Sequence, residues 1–563
     1  MSTGDLISRV YGSFRGADFR GNEVNLVRSP DCLNVYKDYL ETESIKTRPE
    51  MEMVEEFNHM ITGIYFYEAD GIERMLVHCG ETLYEIVNGE RKILYTGVYP
   101  RKSTAFVFNK LWYFMDGYHY LQYDGTIISE VVGYIPTTSI SRKPAGGGRI
   151  YEDVNLLTGI RINTFLADGE SNEFVLDAQN IDEDYGVIVK VNDEIIEYTR
   201  YTVDYESGHI VFNRENIPAP STDGKDNVSI QFRKNIAGYR ERIENCTLVQ
   251  VFDNRVFFSG NPNYPNVMWH CSLNDPSYCS DLDYYNEGTD LSKITGIVAG
   301  NNALWVFKEP SQAKTSVFYH TPTIDNEYGK IYPSVHSSIS TGCIGKAVNF
   351  NDDICFFSER GMEGIAGDVT TEQMLAHRST LADRKLLAER SYRYALVEEW
   401  NGYLLVIIGN KVFLADSRAT FTNENHLEYE WFYWELSKSI SASCVKDGIL
   451  YLGTDDGIYT LTDMTSPVYS YWTTPVDKFN HPQYQKSTNK RGCVIEAEGD
   501  IDVYAKTDTT DFELISSHRN ITDSFVCRIK RKKFKDIQLK FYSATRFRLE
   551  MATLECYIGS YIK

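Results

Sequence analysis

The residues that could perform catalysis do not fall into a recognisable arrangement. Asp455 and Asp456 in the stretch GTDDG are adjacent carboxylates, but a calcium site needs about six to eight oxygens, and Asp-Asp-Gly is also an ordinary hairpin turn. His270 follows Trp269 in an apolar run and is expected to pack there. Carboxylate pairs are numerous, so composition does not exclude a glycosidase, yet no pair stands out. We therefore expect no catalytic residue, no cofactor and no metal site.

Cysteine usage predicts buried free thiols rather than a disulfide framework or a zinc site. The chain of 563 residues has 11 cysteines and no C-x-x-C motif. Cys271 and Cys279 form the closest pair, and no further His or Cys completes a zinc pattern around them. This pattern is typical of a protein in a reducing compartment. The opening residues lack the apolar core of a signal peptide, and no stretch predicts insertion into a membrane.

The overall charge argues against a protein that grips nucleic acid by its phosphates. The formal net charge is −22, from 57 basic and 79 acidic residues. A negative surface is nevertheless suited to a conduit through which DNA must pass without specific binding.

Two charged segments are candidate sites. Between Asp168 and Glu206 the sequence places 12 acidic residues against Lys190 and Arg200, which fits either a solvated surface domain or the acidic lining of a channel. The candidate channel residues are Asp168, Glu170, Asp182, Glu183, Asp184, Asp193 and Glu194. The stretch CRIKRKKFK, residues 527–535, fits a solvated strand face, a contact with a neighbouring subunit or, less well, a contact with the DNA backbone. The candidate contact residues are Arg528, Lys530, Arg531, Lys532 and Lys533.

Short β-forming runs separated by polar turns recur along most of the chain and predict an all-β protein. Seven units of roughly 40–55 residues share one plan, in which a strand reaches a polar turn and a strongly apolar strand follows. The turns assigned to five of them are Asp253-Asn254, Asn301-Asn302, Asp352-Asp353, Asn401-Gly402 and Asp447-Gly448. This spacing predicts a β-propeller of about seven blades, with six or eight also compatible.

The interruptions of the repeat define the remaining domains. We expect an extended arm over 1–50, propeller segments over 51–145 and 242–465, an inserted β-sandwich-like domain over 146–241, and a C-terminal β domain over 466–563. Residues 32–51 could form a hairpin whose strand closes the ring. Residues 370–393 are predicted to form a helix, capped by Thr370 or Thr371.

Two passages resemble the tail hub and nozzle proteins of bacteriophages. In residues 254–311 a strand ends in Ser-Gly, an Asn-Pro loop follows, and Asn-Asp-Pro leads to strands reading ITG and VFKE. In residues 13–49 a Gly-x-Asp-Phe opening is followed by Ser-Pro-x-Cys-x-Asn and Thr-Arg-Pro. Together with the blade rhythm, the likeness covers most of residues 13–465.

The resemblance implies a structural protein of the virion tail, assembled in the host cytoplasm. Such proteins typically form a ring of six subunits below the portal and adaptor, enclose the DNA exit channel, and contact a fibre, spike or plug. The loop of Asn261, Pro262, Asn263, Tyr264, Pro265 and Asn266 would then contact a neighbouring subunit or shape its blade. One alternative is a propeller that binds or hydrolyses glycans at the host surface, and another is a cellular propeller scaffold.

Overall fold

The computed structural model describes residues 5–39, 44–326, 329–367, 373–423, 426–462, 466–508, 510–529 and 533–561. The described part of the chain is nearly all β, with 54% of its residues in strands and 4% in helices. It forms a β-propeller with an inserted β-sandwich and a C-terminal β domain, as the sequence predicts. The eleven cysteines are free, and all but the half-buried Cys444 are buried.

The N-terminal segment and the first two blades account for the first thirteen strands. The N-terminal strands are β1 Leu6–Tyr11, β2 Cys32–Leu33, β3 Val35–Asp38, β4 Ser44–Thr47 and β5 Glu50–Glu56. Blade A consists of β6 Ile61–Ala69, β7 Ile72–Cys79, β8 Thr82–Val87 and β9 Glu90–Thr96. Blade B consists of β10 Thr104–Phe108, β11 Leu111–Met115, β12 Tyr120–Tyr123 and β13 Ile128–Glu130.

The inserted domain packs two sheets around an apolar core. The larger sheet has the order β15-β14-β16-β22-β18-β19 and the smaller the order β17-β21-β20. Phe174, Ile230 and Phe232 are fully buried between them. The strands are β14 Thr137–Arg142, β15 Arg149–Ile150, β16 Ile160–Phe165, β17 Glu173–Val175, β18 Val187–Val191, β19 Glu194–Ile195, β20 Tyr201–Asp204, β21 His209–Phe212 and β22 Val228–Arg233, with 3-10 turns at Tyr198–Arg200 and Arg214–Asn216.

Five further blades follow the short helix α1, Tyr239–Glu244. Blade C is β23 Leu248–Phe252, β24 Arg255–Ser259, β25 Val267–His270 and β26 Tyr284–Asn286; blade D is β27 Ile294–Gly300, β28 Ala303–Lys308, β29 Val317–His320 and β32 Ser334–His336, with an appended hairpin of β30 Thr323–Asp325 and β31 Gly329–Ile331. Blade E is β33 Ala347–Phe350, β34 Asp353–Ser358, β35 Gly361–Ala366 and β36 Met374–His377; blade F is β37 Leu396–Trp400, β38 Tyr403–Ile408, β39 Lys411–Asn423 and β40 His426–Glu435. Blade G joins β41 Ala442–Lys446, β42 Ile449–Gly453 and β43 Gly457–Thr462 to the N-terminal β5.

Two-residue turns with left-handed backbone conformations join the first and second strands of the blades. Asp253 and Asn254 in blade C have φ of 49° and 57°, and Asn301 and Asn302 in blade D have φ of 52° and 58°. Such turns match the strand twist and tolerate Asn and Asp. In blade E the turn is Asn351-Asp352, one residue earlier than predicted, and Asp353 begins β34.

Seven blades form a closed ring. In most of the ring, the first strand of each blade contacts the first strand of the next blade. For blades A to E these strands are β6, β10, β23, β27 and β33, and for blades F, G and A they are β37, β41 and β6. These strands therefore lie nearest the propeller axis. The ring closes where β5 pairs with β43, with Glu56 opposite Gly457 and Glu50 opposite Thr462. This strand, and not the predicted hairpin, supplies the closing edge.

The predicted hairpin belongs instead to a ten-stranded C-terminal sheet. Its strands β44 Ser470–Thr473, β45 Tyr484–Thr507, β46 Glu513–Ile521, β47 Ser524–Cys527, β48 Ile537–Ser543 and β49 Phe547–Tyr561 are joined by β1 to β4 from the other end of the chain. The segment expected to be an extended arm is thus folded into this sheet.

The predicted helix over residues 370–393 is wrong. Met374–His377 is the outer strand of blade E, followed only by the four-residue helix α2, Asp383–Leu386, and a 3-10 turn at Tyr392–Tyr394. The blade needs a fourth strand, and Glu363 in β35 pairs with His377 in β36. Leu381 and Leu386 are buried, but as parts of separate short elements. The proposed caps Thr370 and Thr371 lie outside the described residues.

Candidate interaction surfaces and the propeller axis

Lysine and glutamate side chains gather near one end of the propeller axis. Lys102 lies two residues before the first strand of blade B, and Lys346 immediately precedes the first strand of blade E. Glu398 lies in the first strand of blade F. Lys102 is accessible to solvent, but desolvation by the protein atoms around it, reinforced by the charge of Lys346, lowers its pKa to about 8. Burial raises the pKa of Glu398, and the two lysine charges partly oppose this. The Ser443 hydroxyl donates to Glu398 Oε1 at 2.8 Å. Two lysine side chains and one glutamate side chain therefore share this end of the axis, with a formal charge of +1.

A hydrogen-bond chain fixes the start of blade B against blade A. Ser103 Oγ lies 2.8 Å from both His78 Nδ1 and Tyr65 Oη, and His78 Nε2 lies 3.0 Å from the Gly80 carbonyl. His78 is fully buried, and burial lowers its pKa to about 4. A neutral imidazole that donates to Gly80 can accept the Ser103 hydroxyl. These residues gave no sequence signal, because their contacts join different blades.

The inserted domain separates the seven candidate acidic residues into two groups. The chain enters and leaves the propeller at the end of the sandwich where Ile160 pairs with Arg233, and Asp182 lies there with its carboxylate 2.9 Å from Arg233 Nε. Glu183 and Asp184 are exposed beside it. We call Asp182, Glu183 and Asp184 the proximal turn.

The other four candidates lie at the opposite end of the same sheet, where Phe165 and Val191 both pair with Val228. They are Asp168, Glu170, Asp193 and Glu194, which we call the distal tip. Because β22 rises about 3.3 Å per residue, the two groups are separated by roughly 17 Å.

Two of the four distal-tip residues have local structural roles, one as a hydrogen-bond acceptor and one in a tight turn. The Asp168 carboxylate accepts hydrogen bonds from the Ser171 hydroxyl at 2.6 Å and from the Ser171 and Glu170 amides, which lower its pKa. Asp193 has φ of 67° and occupies the tight turn between β18 and β19. Ile195 follows this turn and is 70% exposed. The tip therefore combines negative charge with an exposed apolar side chain.

The Asn261–Asn266 loop connects the second and third strands of blade C and shapes its own blade. Asn261 is buried, and its Nδ2 donates to the carbonyls of Glu241 and Arg242 at 2.9 and 3.0 Å, which satisfies the end of α1. Asn266 is also buried. Pro262, Asn263 and Tyr264 form the exposed tip, with Tyr264 packed edge-on against Trp269. Only the tip is free to contact a neighbour.

The basic stretch 527–535 leaves the C-terminal sheet at its β47 edge. Arg528 and Lys533 are exposed, as is Lys535 at its end. Lys530, Arg531 and Lys532 lie outside the described residues. The stretch therefore supplies positive charge directly beside the last residue of β47, Cys527.

Motif residues of the N-terminal segment join the C-terminal sheet to blade F. Asn34 Nδ2 donates to the Tyr469 carbonyl at 3.0 Å, and Ser29 Oγ donates to the Thr473 carbonyl at 2.7 Å. Arg48 donates to Asn34 Oδ1 and to the Glu435 carbonyl, at 3.0 and 2.8 Å. Charged hydrogen bonds of this kind are stronger than neutral ones. The two ends of the chain and blade F therefore form one packed unit.

One face of the C-terminal sheet carries an exposed apolar row. Val10 pairs with Thr553, Thr553 with Val494, and Val494 with Val526 across four adjacent strands. Paired residues in an antiparallel sheet point to the same face. Val10, Val494 and Val526 are 52%, 36% and 49% exposed. We call Val10, Thr553, Val494 and Val526 the valine row.

The residues next to the valine row point to the opposite face and are buried. They are Tyr11, Cys493, Cys527 and Leu554. The C-terminal sheet therefore has one covered and one open side in a single subunit.

Comparisons with known proteins found only distant structural likenesses. No family model and no curated protein matches the chain. Among solved structures, the chain is similar to the computationally designed protein Ika8, with 10% identity and a TM-score of 0.33, over 73% of this chain and 99% of that one. It is also similar to BamB from Moraxella catarrhalis, with 10% identity and a TM-score of 0.29, over 82% and 96%. An exo-β-1,3-galactanase from Phanerochaete chrysosporium matches with 11% identity and a TM-score of 0.21, over 55% and 94%.

Within the described ranges of the chain, no helix has the length and apolar character to span a bilayer. No group of three or more His, Cys, Asp or Glu side chains in the same ranges has an arrangement that could hold a metal ion.

Proposed function

We propose that the protein is a structural subunit of a bacteriophage tail, which forms a ring around the path by which DNA leaves the particle. The observation that carries the proposal is the C-terminal sheet, in which both ends of the chain are joined and whose valine row is exposed. An exposed apolar surface on a folded subunit favours a protein partner. The resemblance of residues 13–49 and 254–311 to tail hub and nozzle proteins supports the choice of partner class.

The structural role of the resembling residues strengthens the proposal. Ser29 and Asn34, from the N-terminal motifs, donate to the carbonyls of Thr473 and Tyr469 at the C-terminal sheet. Arg48, from the same motifs, joins Asn34 to the Glu435 carbonyl of blade F. The motif of the second passage includes Asn261, which is buried and satisfies the end of α1. The resemblance is therefore carried by residues that hold structural elements together, and not by residues that line a cleft.

Charge supports passage of DNA without binding. The formal net charge of −22 makes each subunit repel a duplex, and the exposed Glu183 and Asp184 of the proximal turn are our candidates for an acidic channel wall. Repulsion at short range keeps a duplex centred, although salt screens it beyond about 8–10 Å. We expect the ring to be a hexamer that docks on an adaptor and contacts a fibre, spike or plug.

Electron cryomicroscopy of the intact particle tests the proposal. We expect the chain in purified virions as a ring on the tail axis, and particles that lack it should fail to retain DNA. A channel lined mainly by Lys and Arg would contradict the conduit argument. Absence of the chain from purified virions would overturn the function as a whole.

A further inference from the structure

We propose that the valine row and the basic edge of the C-terminal sheet bind the distal tip of the inserted domain of a second copy of this chain. The inference deepens the proposed function, since it assigns the contact that would build the ring. The partner is therefore a neighbouring subunit, and the contact joins two different surfaces.

The first argument is the composition of the C-terminal face. Val10, Val494 and Val526 lie on adjacent strands, with Thr553 between the first two. Since neighbouring strands are about 4.8 Å apart, the valine row is roughly 14 Å long. Arg528 lies two residues beyond Val526 in an extended segment and is exposed like it, whereas the intervening Cys527 is buried. Glu496 and Glu555, two residues beyond Val494 and Thr553 on their strands, lie on the same face. The face is thus an apolar strip with positive charge at its β47 edge and carboxylates beside the row.

The second argument is that the distal tip has the complementary composition. Ile195 and Ile188 are exposed on one face of the hairpin of β18 and β19, and the exposed Lys190, opposite Ile195, lies between them on the same face. Asp193 lies in the turn between these strands, and Glu194 is the first residue of β19. An apolar centre with a charged rim is the usual anatomy of a protein interface, and opposite charges on the rims select the partner and its orientation.

The third argument concerns geometry. A contact between two different surfaces of identical chains leaves one of each surface free on every dimer, so the contact propagates until a ring closes. The distal tip is the end of the inserted domain farthest from its own propeller, and it is therefore the part that can reach another subunit. A contact between two copies of the valine row would instead stop at a dimer.

A charge-exchange experiment on the full-length chain tests the contact. One variant carries Asp193→Lys and Glu194→Lys, and the other carries Arg528→Glu and Lys533→Glu. Each alone should lose self-association in sedimentation velocity at low salt, with an apparent dissociation constant raised by about tenfold or more. An equimolar mixture should regain it, because each reversed surface then meets its complement. A variant with Glu183→Lys and Asp184→Lys changes the net charge of the inserted domain by the same amount, but away from the distal tip, and should associate normally.

Cross-linking identifies the surfaces directly. A carbodiimide joins a carboxylate to a lysine only where the two touch, and mixing ¹⁴N and ¹⁵N chains distinguishes links between copies. We expect mixed-isotope links from the Asp193–Glu194 peptide to the Lys533 peptide. Links that join the valine row to itself, links only at other surfaces, or a wild-type chain that stays monomeric without mixed-isotope links would overturn the inference.

The outcomes separate this contact from the proposed function. If the chain is absent from virions but the mixture restores association, the contact is supported and the tail function fails. If the chain is present in the tail ring but the Asp193→Lys/Glu194→Lys variant assembles normally, the contact fails and the tail function is supported.

Discussion

Blade D and the C-terminal sheet differ in whether both faces of the sheet are covered within one subunit. Every residue of Ala303–Lys308 is buried, because this strand lies between two others and neighbouring blades cover both of its faces. In the C-terminal sheet, Cys493 and Ile495 are buried whereas Val494 between them is exposed. The propeller buries its apolar strands within one chain, whereas the C-terminal sheet leaves one face exposed to solvent. Substitutions in the first region should therefore affect stability, and those in the second should affect association.

The largest expected effect is in the covered strand. Trp305 is fully buried, its Nε1 donates to the Gly300 carbonyl at 3.1 Å, and its ring packs on Tyr319. Trp305→Ala should lower the free energy of unfolding by about 3–5 kcal/mol, because a large buried ring is removed. Denaturant titration measures the change. A loss below about 1 kcal/mol would contradict the picture of a strand packed on both faces.

A smaller, pH-dependent effect is expected at the outer strand of blade E. His377 Nδ1 lies 3.2 Å from Glu363 and Nε2 lies 2.6 Å from Asp383. Burial alone would lower the pKa of His377, but these carboxylates outweigh it and raise the pKa to about 9. Folding therefore favours the protonated ring, and this stabilisation is complete below pH 6.5 and is lost as the pH rises to 9.

His377→Gln should consequently cost roughly 1–3 kcal/mol near pH 6 and much less above pH 9, at about 1.4 kcal/mol per pKa unit. Thermal or denaturant unfolding across this range gives the profile. His336→Gln, at an exposed position of blade D, is the matched control and should show no such dependence. An equal loss at both ends of the range would show that the ion pairs do not contribute.

The Asn261–Asn266 loop of blade C contains, within a few residues, a buried position where a substitution should affect stability and an exposed position where it should not. Asn261→Ala removes both hydrogen bonds to the end of α1 and should destabilise the protein by about 1–2 kcal/mol. Asn263→Ala, at the exposed tip, should stay within about 0.5 kcal/mol of wild type. The shift in denaturation midpoint compares them. Equal effects would show that the loop is not fixed by its buried ends.

Sequence predicted the blades well because their signals are local. An Asn or Asp turn such as Asn301-Asn302, followed by an apolar strand, specifies a hairpin without reference to the rest of the chain. The sequence predicted that a strand near the N-terminus closes the ring but assigned it to a hairpin over residues 32–51. The closing strand is Glu50–Glu56, whose partner β43 is about four hundred residues away, so no local signal identifies it. The helix predicted over 370–393 failed because pairing with β35 outweighed helix propensity at Met374–His377.

The sequence predicted which residue types form the candidate sites, but not where these residues lie in the fold. The acidic residues are one block in the sequence but two groups at opposite ends of a sandwich, because Asp182 and Asp193 flank the two ends of β18. The valine row joins Val10 to Val494 and Val526, and only the strand register shows that these residues are neighbours. The axial Lys102 and Lys346 likewise belong to different blades.

The smallest effect on stability is expected at the valine row, where association should change in a characteristic way. Val526→Ser alters an exposed side chain and should leave the free energy of unfolding within about 0.5 kcal/mol of wild type. It should weaken self-association equally at low and high salt, because an apolar contact is not screened by ions. Arg528→Gln should weaken association mainly at low salt and so flatten its salt dependence, as expected for a charge at an interface rim. Sedimentation velocity at several salt concentrations compares the two variants. If Val526→Ser changed unfolding but not association, the open face would belong to the subunit's own core and the contrast with blade D would fail.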